Sequence, residues 1–142
     1  MKKVVFVNVN VYAIRHDMKC VPTLTHQGVI DADCDKKFTV RMLRDVDHEK
    51  IVGALRDSFA KNNYSDAGKI NQMLGAFTSE LKEGSAWTIS YNSGAKTTTI
   101  WVQGGGSATI AGEDFMKGVW RIWFGNIDPA SISDQLMANL KK

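Results

Sequence analysis

Between Trp87 and Gly125 the chain reads WTISYNSGAKTTTIWVQGGGSATIAGEDFMKGVWRIWFG. Ala86–Tyr91, Thr97–Gln103 and Ser107–Ala111 are short strand-like runs. They are parted by Asn92-Ser93-Gly94 and by Gly104-Gly105-Gly106, which both read as hairpin turns. Trp87, Ile89 and Tyr91 share one face, because strand side chains alternate. The period then lengthens. Over Glu113–Phe124, Phe115, Val119, Ile122 and Trp123 fall on one side of a helix, and Trp120 widens the stripe. Gly125 stands where helices commonly end in a left-handed residue. Consecutive hairpins followed at once by an apolar helix require an antiparallel sheet with a helix folded back onto it.

Upstream, Val4–Ile14 alternates, with Val5, Val7, Val9 and Val11 on one face and Phe6, Asn8, Asn10 and Tyr12 on the other, which predicts a strand. Arg15–Asp35 is irregular and reads mostly as loop. Lys37–Arg44 alternates again, with Phe38, Val40 and Met42 facing one way. Asp47 can cap a helix carrying Ile51, Val52, Leu55 and Phe59, which fades near Asn62–Asn63. Ser65 can cap a second, with Ile70, Met73, Leu74, Phe77 and Leu81 on its apolar face and Gly84 at its end. Ser131-x-x-Asp134 resembles a capping box for a last helix bearing Ile132, Leu136, Met137 and Leu140. The order β–loop–β–α–α–β–β–β–α–α argues an α+β fold, an antiparallel sheet with helices on one face.

The chain has 142 residues, 44% hydrophobic and 23% charged, enough for a single domain over 1–142 with a packed core. The net charge of +3 is scattered and interleaved with acids, which argues against a nucleic-acid partner. No run approaches the roughly 18 apolar residues of a membrane span. Val4–Val7 after Lys2 and Lys3 is too short and too soon interrupted for a signal peptide. The chain therefore reads as soluble and unprocessed, with the cytoplasm as the default compartment. Cys20 and Cys34 do not make a disulfide framework and are expected as free thiols.

The candidate sites divide by chemistry. Asp31-x-Asp33-x-Asp35 begins like a calcium loop, but Lys36 and Met42 stand where its Gly and Glu belong, so a solvated acidic loop is expected. His16, Cys20, His26 and Cys34 match no zinc spacing, and no metal is expected. Gly104–Gly106 lacks the following helix and Lys-Ser/Thr pair of a phosphate cradle, so no cofactor is expected. No nucleophile elbow or carboxylate pair stands out, and His48 reads as a structural first-turn residue. Trp87, Trp101, Trp120 and Trp123 suit either a core or an apolar ligand pocket.

Nearly the whole chain resembles the chalcone isomerase-like superfamily. The resemblance rests on VNVNVYAI in the strand Phe6–Ile14 and on FTVRMLRDVDHEKIVGALRDSF, a strand running into a helix. It rests most on the ending: ISYNSGAKTTTIWV, a Gly turn, ATIAGEDF, and IWFG with a following Pro. It implies an open-faced β-sandwich with an apolar cleft between the sheet and the helices layered over it. Enzymatic members cyclise a chalcone to a flavanone by intramolecular addition of a phenoxide to an enone. Other members lack that activity, and some bind fatty acids.

Catalytic members carry an Arg upstream of the VYA-type segment, suited to an enolate-like charge. They also carry a Tyr near the start of the helix after the FTVRML-like strand, and an Asn about two turns on. Here only Lys2 and Lys3 precede the match, and the first Arg is Arg15. The helix start reads Asp45-Val46-Asp47-His48, with Ala54–Leu55 further along. Arg15-His16-Asp17 replaces the usual Gly-aliphatic-Tyr. The resemblance therefore implies a non-catalytic member binding an apolar ligand such as a fatty acid. Tyr12 would offer a hydroxyl and Arg15 or Lys3 a cation, with Arg41, Trp87 and Trp120 completing the expected site. The alternatives are a rearranged isomerase using Arg15, Arg41 or Arg44, and an interaction module with a filled core.

Overall fold

The computed structural model describes residues 5–7, 12–20 and 26–125. Six strands form one antiparallel sheet in sequence order: β1 (Val5–Val7), β2 (Tyr12–Met18), β3 (Lys36–Met42), β4 (Ala86–Asn92), β5 (Thr97–Val102) and β6 (Ser107–Ala111). The helices are α1 (His26–Asp31), α2 (His48–Lys61), α3 (Ala67–Leu74) and α4 (Glu113–Phe124). They cover one face of the sheet, as the α+β reading requires.

The pleat decides what goes inside. On β3, Lys36, Phe38, Val40 and Met42 are buried while Lys37 and Arg41 are exposed. The register then carries this face across the sheet. Phe38 lies opposite His16 on β2 and Ile89 on β4, and Val40 lies opposite Ile14 and Trp87. The apolar stripe of α4 closes over that face, burying Phe115, Val119, Trp120 and Trp123 completely. The other face is Thr-rich, and its Trp101 is exposed.

The hairpin turns, the strand β3, the helix capped by Asp47 and the helix α4 form as expected. Asp47 accepts from the Glu49 amide at 3.0 Å. Several expectations are corrected. Val4–Ile14 is not one strand. Val5 pairs with Ile14 and Val7 with Tyr12, so the segment is two antiparallel arms. A single two-residue period runs through both arms, so periodicity carries no mark of the reversal. The segment read as loop contains the second half of β2 and all of α1. Asp66, not Ser65, caps α3, accepting from the Lys69 amide at 3.2 Å.

The helix that begins there ends at Leu74, well short of Gly84. Beyond it, Leu81 and Val46 exchange two backbone hydrogen bonds of 2.8 Å, and Ala76 accepts from the Gly106 amide. These partners are satisfied by extended chain, and Phe77 and Leu81 reach the core from it. Gly125 is also placed otherwise than expected, with φ −99°. Space, not handedness, requires glycine there: a Cβ would lie 2.6 Å from the Arg121 carbonyl oxygen. The helix expected after Ser131 lies outside the described residues.

The cysteines are not free, because Cys20 and Cys34 form a disulfide. The β2–β3 register explains the pairing. Met18 faces Lys36, and the Lys19 amide donates to the Asp35 carbonyl at 2.9 Å. Two residues further along each strand, Cys20 and Cys34 stand opposite each other with Cα atoms 6.1 Å apart. Once Arg15–Cys20 is read as loop, nothing in the sequence brings them together. Closing this loop of 14-residue separation should contribute about 3 kcal/mol. Urea titrations of the wild type and of the Cys20→Ala/Cys34→Ala double variant should differ by that amount, and reductant should destabilise only the wild type. Coincident curves would mean that the cysteines are not paired in solution.

Candidate functional site

The densest set of polar groups inside the apolar layer lies where α4 crosses β2. Tyr12, Ile14, His16 and Met18 share the inner face of β2 by parity. On α4, Trp120 and Trp123 are one turn apart on the face that meets them. Trp120 Nε1 donates to His16 Nε2 at 2.9 Å, and Trp123 Nε1 donates to the Tyr12 hydroxyl at 3.3 Å. Phe38 fills the space between, its ring centroid 4.7 Å from that of Trp120 and 4.6 Å from that of Trp123. Phe124 closes the other side of His16, at 5.0 Å. Further along the sheet, Trp87 meets Tyr12 edge-on and donates to the Met42 sulfur.

Lys36 adds a charge to this layer, although it is almost fully buried. Its Nζ donates to the Val29 and Ile30 carbonyls in the last turn of α1 at 2.8 and 3.1 Å, the Val29 oxygen also accepting from the Ala32 amide at 3.4 Å. The ammonium also lies 4.7 Å from the Trp120 ring centroid, close enough for cation–π attraction. Burial pushes Lys36 down to about 7, opposed by the carboxylates of Asp31 and Asp33. Burial, assisted by the charge of Lys36, pushes His16 down to about 3, so the imidazole is neutral at ordinary pH. Burial raises the Tyr12 phenol, while its bond from Trp123 acts in the other direction.

Residues 5–139 match the family profile of chalcone isomerase-like proteins. The chain belongs to the chalcone isomerase-like family. No curated protein matches it. Among solved structures it is similar to the crystal structure of a fatty-acid-binding protein from Arabidopsis thaliana. The TM-score is 0.68 over 98% of this chain and 83% of that one, at 10% identity. At that identity the likeness speaks for the fold alone.

Within this chalcone isomerase-like frame, the expected site residues separate. Tyr12, Trp87 and Trp120 all lie on the inner face. Arg15 and Arg41 do not join them. Strand alternation turns both to the opposite face, where Arg15 Nε bonds Asp17 at 3.2 Å and Arg41 bonds the Gly84 carbonyl. Lys3 lies outside the described residues. The acidic triplet also disperses. Asp33 pairs with Lys96 and Tyr91, Asp35 holds the Ser93 amide and hydroxyl, and Asp31 faces Lys117. His16, weighed in the sequence only as a metal ligand, and Lys36, weighed only within the acidic loop, are the inner-face residues that sequence reasoning missed. Their signal was parity, with His16 two residues after Ile14 and Lys36 two before Phe38.

The depressed His16 pKa has a measurable consequence. As pH falls below the unfolded-state value of 6.5, the unfolded chain takes up a proton that folded His16 refuses until about pH 3. Stability should therefore fall by about 2 kcal/mol between pH 6.5 and 4.5. Urea midpoints across that window measure the slope, and His16→Gln should flatten it. An equal slope in both proteins would mean that His16 titrates normally.

Proposed function

We propose that this chalcone isomerase-like protein is non-catalytic and binds an apolar ligand, such as a fatty acid, between the sheet and the helices. The observation that carries the reading is Tyr12. Its hydroxyl is held by Trp123 at the margin of an aromatic layer in a chain of this family. The fold likeness to a fatty-acid-binding protein supports it further. Tyr12, Trp87 and Trp120 would line the ligand. Arg15 and Arg41 stand on the other side of the sheet, so the proposed site does not use them. The isomerase alternative gains no support, because Arg15 and Arg41 are on that outer face and Arg44 is exposed.

The close packing of Phe38 by Trp120 and Trp123 favours a second reading, an interaction module with a filled core. Binding separates the two. Palmitate should quench the tryptophan fluorescence saturably, with a Kd on the order of micromolar or tighter, about −8 kcal/mol. Tyr12→Phe should weaken binding a few-fold by releasing the Trp123 bond that holds the aromatic wall in place, and chalcone should cyclise no faster than in buffer. Native mass spectrometry with lipid extraction should recover a bound fatty acid. An apo mass together with no quenching would favour the filled-core module.

A further inference from the structure

The Trp120–His16 bond fixes the tautomer of His16. An indole nitrogen can only donate, so Nε2 is the accepting nitrogen. The imidazole is neutral here, so its proton sits on Nδ1. That Nδ1 atom is buried and has no hydrogen-bond partner among the described residues. A buried N–H left without an acceptor has lost its water and gained nothing in return. Water is a poor remedy, because an internal water needs two to four polar partners. The Phe38 and Phe124 rings, 4.9 and 5.0 Å from His16, offer it none.

We propose that His16 Nδ1–H is the head-group anchor of the ligand, donating to a carboxylate oxygen, with the Lys36 ammonium supplying the positive field. Lys36 is near enough for its charge to act on His16, and its position over the Trp120 ring puts it beside the same indole. Its bonds to the α1 carbonyls keep it in place, so it contributes by field and His16 by contact. Fatty acids of this kind carry one such head group and otherwise need only apolar walls. The proposal rests on the ligand-binding reading above and adds the residue that reads the head group.

The test uses the full chain labelled with 15N-histidine, titrated with palmitate carrying a 13C-carboxyl. The His16 Nδ1–H resonance and the carboxyl carbon should shift together and saturate together. His16→Met keeps a sulfur acceptor for Trp120, of the kind Met42 offers Trp87, and carries no donor. It should weaken palmitate binding about tenfold, as expected for one hydrogen bond to a charged group. If palmitate binds the wild type but the Nδ1 resonance stays still and His16→Met binds equally, the anchor is overturned and the ligand-binding reading survives. If palmitate does not bind the wild type at all, both fall. Should His16→Met fail to fold, the wild-type titration decides alone.

Discussion

The fold depends on one crossing, where α4 lies over β2 with Phe38 between them. Two indole N–H groups one helical turn apart find two acceptors four residues apart on a strand. The match works because one helical turn advances about 5 Å while Trp side chains reach far enough to span the remainder of the strand spacing. Each bond alone is worth about 1 kcal/mol. Their larger role is to set the rotation and position of the helix, since apolar packing by itself is non-directional. Phe38 then has both indoles as ring neighbours, with planes tilted by 36° and 47°.

The same crossing concentrates electrostatic cost. His16 and Lys36 occupy inner positions that the neighbouring strand residues give to Ile14, Phe38 and Val40. Burying a polar side chain without partners is unfavourable, and burying a charge more so. Lys36 offsets this with two helix-end carbonyls and an aromatic face. His16 is satisfied at one nitrogen only. On the outer face Arg41 bonds the Gly84 carbonyl where water reaches it, and Arg15 and Asp17, both partly exposed, neutralise each other. This difference, rather than residue type alone, separates an inner candidate site from ordinary surface charge.

Much of this was legible along the chain. β3 through β6 and α4 carry clean periods and turn residues between them, and each was assigned near its true limits. Tyr12 and Trp87, two of the candidates, meet edge-on, while Trp120 stands apart from them against Phe38. The misses share a cause. The β1–β2 arms have the same period on both sides of the reversal. The disulfide depends on a β2–β3 register that extends past the strand as read. α3 stops early because Val46 and Gly106 offer its continuation better partners elsewhere. Arg15 and Arg41 looked like ligand cations until alternation was followed to the end of each strand.

By itself the sequence determined which segments are strands or helices wherever side-chain period and turn chemistry are local properties. It also determined the α+β class, since hairpins and an amphipathic helix can bury their apolar faces in few ways. Tertiary structure alone decided the register, and with it the Cys20–Cys34 pair and the face given to each arginine. It alone put His16 beneath Trp120 and Lys36 beneath α1. Those relations join residues up to 104 positions apart, and no local pattern encodes a contact that forms only when two distant elements compete for the same buried space.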